Sequence, residues 1–276
     1  MINYAEKYSP VVDERFSLAS ITNVAFNTDY DWAGVQTVNV YSVATTAMNN
    51  YTRTGANRYG TPAELQDTKQ AMTITRDRAF TQTIDRGNDI DQLGIKSAAR
   101  ALRRQMDEVV IPELDIYRIS VVAAAANPAN VDATTATAAN AYSLFLKGQE
   151  ALGNAKVPTV GRVAYMTYAY YNLLKLDPAF IKQGDMSQEM LRAGMMGMVD
   201  GVPLVPVPAS YLPAGQQFLI WHPRVAVAPV KLSELHIHVD PPGISGVLIE
   251  GRFYYDCFVL ENKRDAIYSC TKEVDS

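Results

Sequence analysis

The segment from Val35 to Asp85 limits this chain more than any other. Val35, Thr37, Asn39, Tyr41 and Val43 alternate with Gln36, Val38, Val40 and Ser42, the period-two pattern of a strand rich in β-branched residues. A second such run, AMTITRDRAFTQTID, extends from Ala71 to Asp85. The stretch between them, NNYTRTGANRYGTPAELQDTK, is polar, carries glycines and has little to bury. The spacing predicts two strands of a long projecting hairpin. A lone two-stranded ribbon is marginal in water, so such an arm needs a surface to lie on, and most globular enzymes have no reason to carry one.

A long helical pattern follows. Ile90, Leu93, Ala98, Leu102, Met106, Val109, Leu114, Tyr117 and Val121 recur mostly at spacings of three to five between Asn88 and Ala126. Asn88 reads as an N-cap with Asp91 three residues on, and Asn127-Pro128 as the stop. Such an element runs roughly 55 Å at the α-helical rise. Pro112 is expected to kink or split it near Val109. Arg100, Arg103, Arg104, Asp107 and Glu108 read as a solvated charged face.

Around these two elements the rest is mixed. Residues 1 to about 30, with Phe16, Leu18 and Ile21, show no sustained periodicity and read as an extended arm. A helix is expected from about Ala136 to Leu152 and stopped by Gly153-Asn154; RVAYMT then reads as a strand. Thr167 caps a short helix, YAYYNLLK, which ends at Asp177-Pro178. Val202–Val207 and Gln217–Trp221 read as buried strands, Leu235–Val239 and Val247–Glu261 as long strands, and AIYSC as the closing one. The class is α+β, with an inserted lobe from about 130 to 230.

Composition narrows the function. With 276 residues, 48% hydrophobic, the chain can bury a large core. A net charge of −4 argues against nucleic-acid phosphates as the main source of affinity. Cys257 and Cys270 are too few for a disulfide framework and read as buried thiols of a reducing compartment. The N-terminus lacks the basic-then-apolar order of a signal peptide, and no run approaches the roughly 18 apolar residues of a membrane span. The expectation is a soluble cytosolic product that does not enter a membrane. Sixteen tyrosines against three histidines favour contact surfaces over acid–base chemistry.

Motifs for chemistry are nearly silent. The glycines of GMMGMVDGVPLVPVP, Gly194 to Pro208, precede prolines that forbid a helix N-terminus, so the stretch is a turn feeding an edge-like strand and not a phosphate loop. His236 and His238 alternate along a strand and point to one side, where a zinc site could start; His222 and the two cysteines are the further candidate ligands. No GxSxG, HExxH or CxxC occurs. Asp29 and Asp31, and Asp85, Asp89 and Asp91, read as turn and cap residues. No catalytic, cofactor-binding or metal residue is assigned, and no cofactor is expected.

The order of elements resembles the major capsid protein of tailed bacteriophages, the Hong Kong 97-type fold also used by encapsulin nanocompartments. The pieces that carry the resemblance are YTRTGANRYGTPAELQDTKQ at the ribbon tip, VVIPELDIYRIS in the helix, RVAYMTYAYYNLLK, GMVDGVPLVPVPASYLP and FYYDCFVLENKRDAIYS. It implies an N-terminal arm (1–34), an extended hairpin loop (35–86), the spine helix of a peripheral domain (87–129), an axial domain (130–231) and further peripheral strands (232–276). By resemblance the function is structural and non-enzymatic: self-assembly through hexamers and pentamers into an icosahedral shell around double-stranded DNA. The shell would be located in the virion and assembled in the host bacterial cytoplasm. Only some thirty residues precede the first strand, so a separate scaffolding protein is expected, with a portal protein at one vertex. Some relatives cross-link a ribbon lysine to a neighbour's asparagine; Lys69 and Asn262 supply the residue types, without a supporting environment. Two other readings are an encapsulin-like shell for enzyme cargo and a soluble α+β metal-dependent enzyme using His236 and His238.

Overall fold

In the computed structural model, residues 20–27, 29–30, 32, 35–91, 97–182 and 197–272 are described. Phe16, Leu18, Asp31, Leu93 and Gly194 lie outside the described residues. The elements in chain order begin with β1 (Thr37–Val43), β2 (Asp67–Thr73), β3 (Arg76–Asp85), α1 (Arg86–Asp91), α2 (Ala98–Gln105) and α3 (Ile111–Ala124). Next come β4 (Val131–Asp132), α4 (Ala141–Asn154), β5 (Val163–Thr167), α5 (Tyr168–Leu176), α6 (Pro178–Lys182), β6 (Met198–Val199) and β7 (Val202–Val207). The remainder is β8 (Gln216–Trp221), β9 (Ala226–Val227), β10 (Val230–Val239), β11 (Gly246–Tyr255), β12 (Phe258–Val259) and β13 (Ile267–Thr271).

A six-stranded sheet in the order β4-β13-β8-β5-β7-β6 forms the larger body. Its middle strand, β8, is buried at every position because both faces are covered, which is why QFLIW reads as an unbroken apolar run. Phe218 and Ile220 face the cluster built by α4 and α5, with Phe145, Leu152, Tyr170 and Leu174. Leu219 and Trp221 face the opposite cluster, with Ile119 and Val122 of α3. Trp221 stacks on Tyr165 at 4.6 Å between ring centroids. Helix α4 lies so close to β13 that a Cβ on Gly148 would come within 2.8 Å of the Tyr268 ring.

The closing strand, grouped from sequence with the peripheral strands 232–276, belongs instead to this sheet. β13 runs antiparallel to β8 and parallel to β4. Nor are residues 20–27 an arm. Asp115 of α3 accepts hydrogen bonds from Ser20 Oγ, Ile21 N and Thr22 Oγ1. Trp221 Nε1 donates to Ala25 O at 2.9 Å, and Ala25 is fully buried. Short polar side chains make this segment look like loop in sequence; their partners lie about a hundred residues or more away.

A second, three-stranded sheet has the order β10-β11-β3. The run Ala71 to Asp85, expected as one strand, is therefore two: β2 pairs β1, and β3 pairs β11 from Arg76↔Tyr255 to Asp85↔Gly246. Gly246, at φ 144°, sits where a Cβ would meet the Ile84 carbonyl oxygen. Likewise Val247–Glu261 is not one strand but β11 and β12, broken at Asp256-Cys257.

The spine does not run unbroken from Asn88: Arg86–Asp91 is a short helix of its own, and α2 begins at Ala98 after Ser97, whose backbone is extended. Asn88 lies inside α1 and is not the cap of the spine; its N–H donates to Asp85 Oδ1 at 3.1 Å. Between α2 and α3, Met106–Val110 forms a π turn, with Ile111 N–H donating to Met106 O. Pro112 thus neither splits nor ends the element: widening the turn just before it relieves the clash that a proline ring makes with the preceding turn. Arg103–Asp107 and Arg104–Glu108 pair at i, i+4; the first pair is solvated as expected, but the second is not, since the Glu108 side chain is mostly covered. Helix α4 starts at Ala141 and not at 136, since Asn140 Oδ1 accepts from Thr137 N ahead of it, and it takes in Gly153 and Asn154. Thr167 caps α5 as expected, accepting from Tyr170 N.

Candidate interaction surface

The ribbon of β1 and β2 is firm at its base. Trp32, Met72, Ile74, Val227 and Leu260 form a small buried cluster there, with Trp32 stacked on Phe258 at 6.1 Å. Gln70 clasps the body twice, donating to Val259 O at 2.8 Å and accepting from Glu261 N at 3.1 Å. Asn262 Nδ2 donates to Ser42 Oγ within the same subunit, beside the ribbon edge that holds Lys69 opposite Tyr41.

The direction of the ribbon is set where β2 gives way to β3. Ile74 is fully buried; its carbonyl accepts from Tyr254 OH at 2.7 Å and from Gln36 Nε2 at 3.1 Å. Next to it, the buried Asp256 carboxylate accepts from Thr75 N and Oγ1, from Tyr117 OH at 2.6 Å and from Cys257 N at 2.8 Å. One aspartate therefore fixes three places at once: the end of β2, the break after β11, and α3. Burial, and then the hydrogen bond to Asp256, push the Tyr117 hydroxyl well above the usual phenol range. Just beyond, Glu113 holds Arg76 at 2.9 Å and Arg78 at 2.8 Å, binding β3 to the spine.

Outward of that clamp the ribbon has no cover. Residues 43–59 and 61–69 are all exposed, and Gly60 is half-buried. Met48 is 99% exposed, Tyr59 86% and Leu65 65%. The tip orders itself without a core: Tyr51 meets Tyr59 edge-on at 4.9 Å, Thr52 N donates to Arg58 O, and Arg58 Nε donates to Gly55 O. Apolar side chains thus stand in solvent along a shaped, exposed projection of this subunit.

The residues singled out for chemistry stay apart. His236 and His238 lie on β10 with rings 5.8 Å apart, His236 near Glu234 at 3.8 Å and His238 near Glu250 at 3.4 Å. His222 is elsewhere, accepting from Arg224 N, and burial lowers its pKa. Cys257 and Cys270 are both buried, and burial pushes the Cys270 thiol up to about 12. Among the described residues no three ligating side chains gather as a metal centre. Asp85 serves the turn into α1, as its sequence context suggests. Sequence reasoning missed Asp256, Gln70 and Asp115, whose roles depend on partners far along the chain.

A projecting ribbon, a spine helix crossing a three-stranded sheet, and a six-stranded body compose the fold of phage capsid subunits, the Hong Kong 97-type fold expected from the sequence. The chain is similar in structure to one from the capsid of the cyanophage P-SCSP1u, with TM-score 0.77 and 13% identity, covering 98% of this chain and 93% of that one. A chain of the bacteriophage PhiM1 mature capsid gives TM-score 0.73 and 14% identity over 98% and 92%. One from the head of Helicobacter pylori bacteriophage KHP40 gives 0.72 and 10% over 98% and 95%. No protein-family model and no curated protein matches the sequence.

Proposed function

We propose that this chain is the major capsid protein of a tailed bacteriophage, a structural subunit that assembles with copies of itself into the icosahedral shell of the virion. The observation that carries the reading is the exposure of residues 43–59 and 61–69 on a ribbon whose base is rigidly clamped. An arm that buries nothing on its own subunit gains stability by covering another, so folding free energy is completed by assembly.

In this reading hexamers and pentamers are the intermediates. The ribbon β1–β2 is the extended loop, α2, α3, β3, β10 and β11 form the peripheral domain, and the six-stranded sheet, β13 included, is the axial domain around the five-fold and six-fold axes. The shell encloses double-stranded DNA without reading its sequence, consistent with a net charge of −4. A separate scaffolding protein, a portal at one vertex and assembly in the host bacterial cytoplasm complete the proposal. Nothing observed favours the encapsulin-like or enzyme readings. Electron microscopy of the purified chain tests the reading: closed shells, tubes or ring-shaped capsomers are expected, and a monodisperse monomer at high concentration would refute it.

A further inference from the structure

The three-stranded sheet ends on one side in β10, whose outer edge meets no other strand among the described residues. This edge is ten residues long and exposed at every position except Leu232. Natural proteins blunt such edges with bulges, proline or lysine, because an open edge recruits another strand. Here the bulge and the lysine both fall at the start, between Val230 and Leu232, and Ser233–Val239 is left open. Alternation places Glu234, His236 and His238 on one face, and Leu235, Ile237 and Val239 on the other. The latter three are 40%, 43% and 72% exposed.

We propose that this edge is a homotypic contact: β10 pairs antiparallel with β10 of a second copy about a two-fold axis, joining two three-stranded sheets into one of six. The inference rests on the shell reading above and names one of its contacts. What points to a second copy as the occupant is the self-complementarity of the strand. A two-fold axis normal to the sheet keeps each face on its own side, so positions of like parity oppose one another. Centred on His236, the pairing sets Glu234 against His238 of the second copy and Leu235 against Ile237, each twice, with His236 facing its equivalent. Acid then meets imidazole and apolar meets apolar. Moving the centre to Leu235 sets Ile237 against Ser233 and Val239 against Lys231, losing the Leu235–Ile237 apolar pair; moving it to Ile237 puts Glu234 against the Asp240 carboxylate.

Directly opposed residues of an antiparallel pair lie about 4.5–5.5 Å apart at Cα, within reach of a disulfide, whereas diagonal ones are too far. The test is His236→Cys in the full chain, oxidised with diamide, which takes up the two protons and two electrons released as two thiols form one S–S bond. Cys257 and Cys270 are buried, so wild type gives no background. The expected result is that most of the chain runs as a reducible covalent dimer, while Leu235→Cys runs as monomer. Cross-linking of Leu235→Cys instead, or of neither variant, overturns the proposal.

A second variant guards against a local effect of the cysteine. Glu234→Lys should weaken assembly, and Glu234→Lys with His238→Glu and Glu250→Gln, the last removing the carboxylate 3.4 Å from His238, should restore it; failure of that swap to restore it counts against the pairing. Both measurements are made on assembled and on unassembled chain. Shells that form without the cross-link sink the β10 contact alone, whereas a wild-type chain that never assembles sinks the capsid reading.

Discussion

Replacing Asp256 by alanine should loosen the ribbon from the body, and the size of the effect follows from its four hydrogen bonds. Thr75 is exposed, so water can replace the carboxylate at its N–H and hydroxyl. Cys257 N is buried and the Tyr117 hydroxyl partly so; each loses an ionised acceptor that water cannot readily replace. An unpaired buried donor costs about 1–3 kcal/mol, giving a loss of about 2–6 kcal/mol for the pair. For a chain of this size, whose unfolding entropy is about 0.6 kcal/mol per kelvin, that lowers the thermal midpoint by roughly 3–10 °C. Tyr117→Phe removes one bond and should cost about 1.5–3 kcal/mol, the range for a hydrogen bond to a charged group. Scanning fluorimetry on unassembled capsomers measures the midpoint, and amide exchange at Ile74–Arg76 reports the joint directly. An Asp256→Ala protein with an unchanged midpoint and unchanged exchange there would refute the claim that this carboxylate sets the ribbon's direction.

Further outcomes follow from the packing and the titrating groups. Met48→Asp with Leu65→Asp should leave the unassembled subunit within about 0.5 kcal/mol of wild type yet abolish closed shells by electron microscopy; normal shells would show that the outer ribbon covers nothing. Trp221→Ala, emptying a site stacked on Tyr165, should cost about 3–5 kcal/mol in urea unfolding. Burial raises the hydroxyl pKa of Tyr117, Tyr165, Tyr170 and Tyr268 in the folded chain. The unfolded chain therefore gives up these protons first, and stability should be full below about pH 10 and fall as pH rises beyond it; urea midpoints from pH 8 to 11 check this. At Asp132, burial opposes the charge, but hydrogen bonds from Lys147 and Thr134 outweigh it and hold the carboxyl below its usual range. Its contribution is present above about pH 4 and lost as pH falls further, so the stability deficit of Asp132→Asn should shrink in acid.

Period and length carried most of what was legible in the sequence. The alternation of Thr37–Val43, the apolar run at β8 and the capping of α5 by Thr167 depend on neighbours within a few residues, so pattern alone locates them. The break at Ile74-Thr75 does not: the alternation of Ala71–Asp85 continues unchanged through it. What ends β2 is the Asp256 carboxylate and the Tyr254 hydroxyl, some 180 positions away. Residues 20–27 were misread for the same reason, since Ser20 and Thr22 look like loop residues until Asp115 is placed beside them. Pro112 misled in the opposite sense, because a π turn absorbs locally what a strict α-helix would not. The exposed ribbon, the heart of the candidate surface, was legible because having nothing to bury is itself a property of composition.

The position of β13 bears on how the protein is made. The strand completing the pairing of β8 is Ile267–Thr271, so when residues up to Trp221 have left the ribosome the centre of the sheet still has one edge open. More than forty further residues must be translated before that gap closes, and until then FLIW is a sticky template for other nascent chains. Body formation thus waits for β13 to emerge, and crowded polysomes during rapid synthesis are where misfolded chain should accumulate.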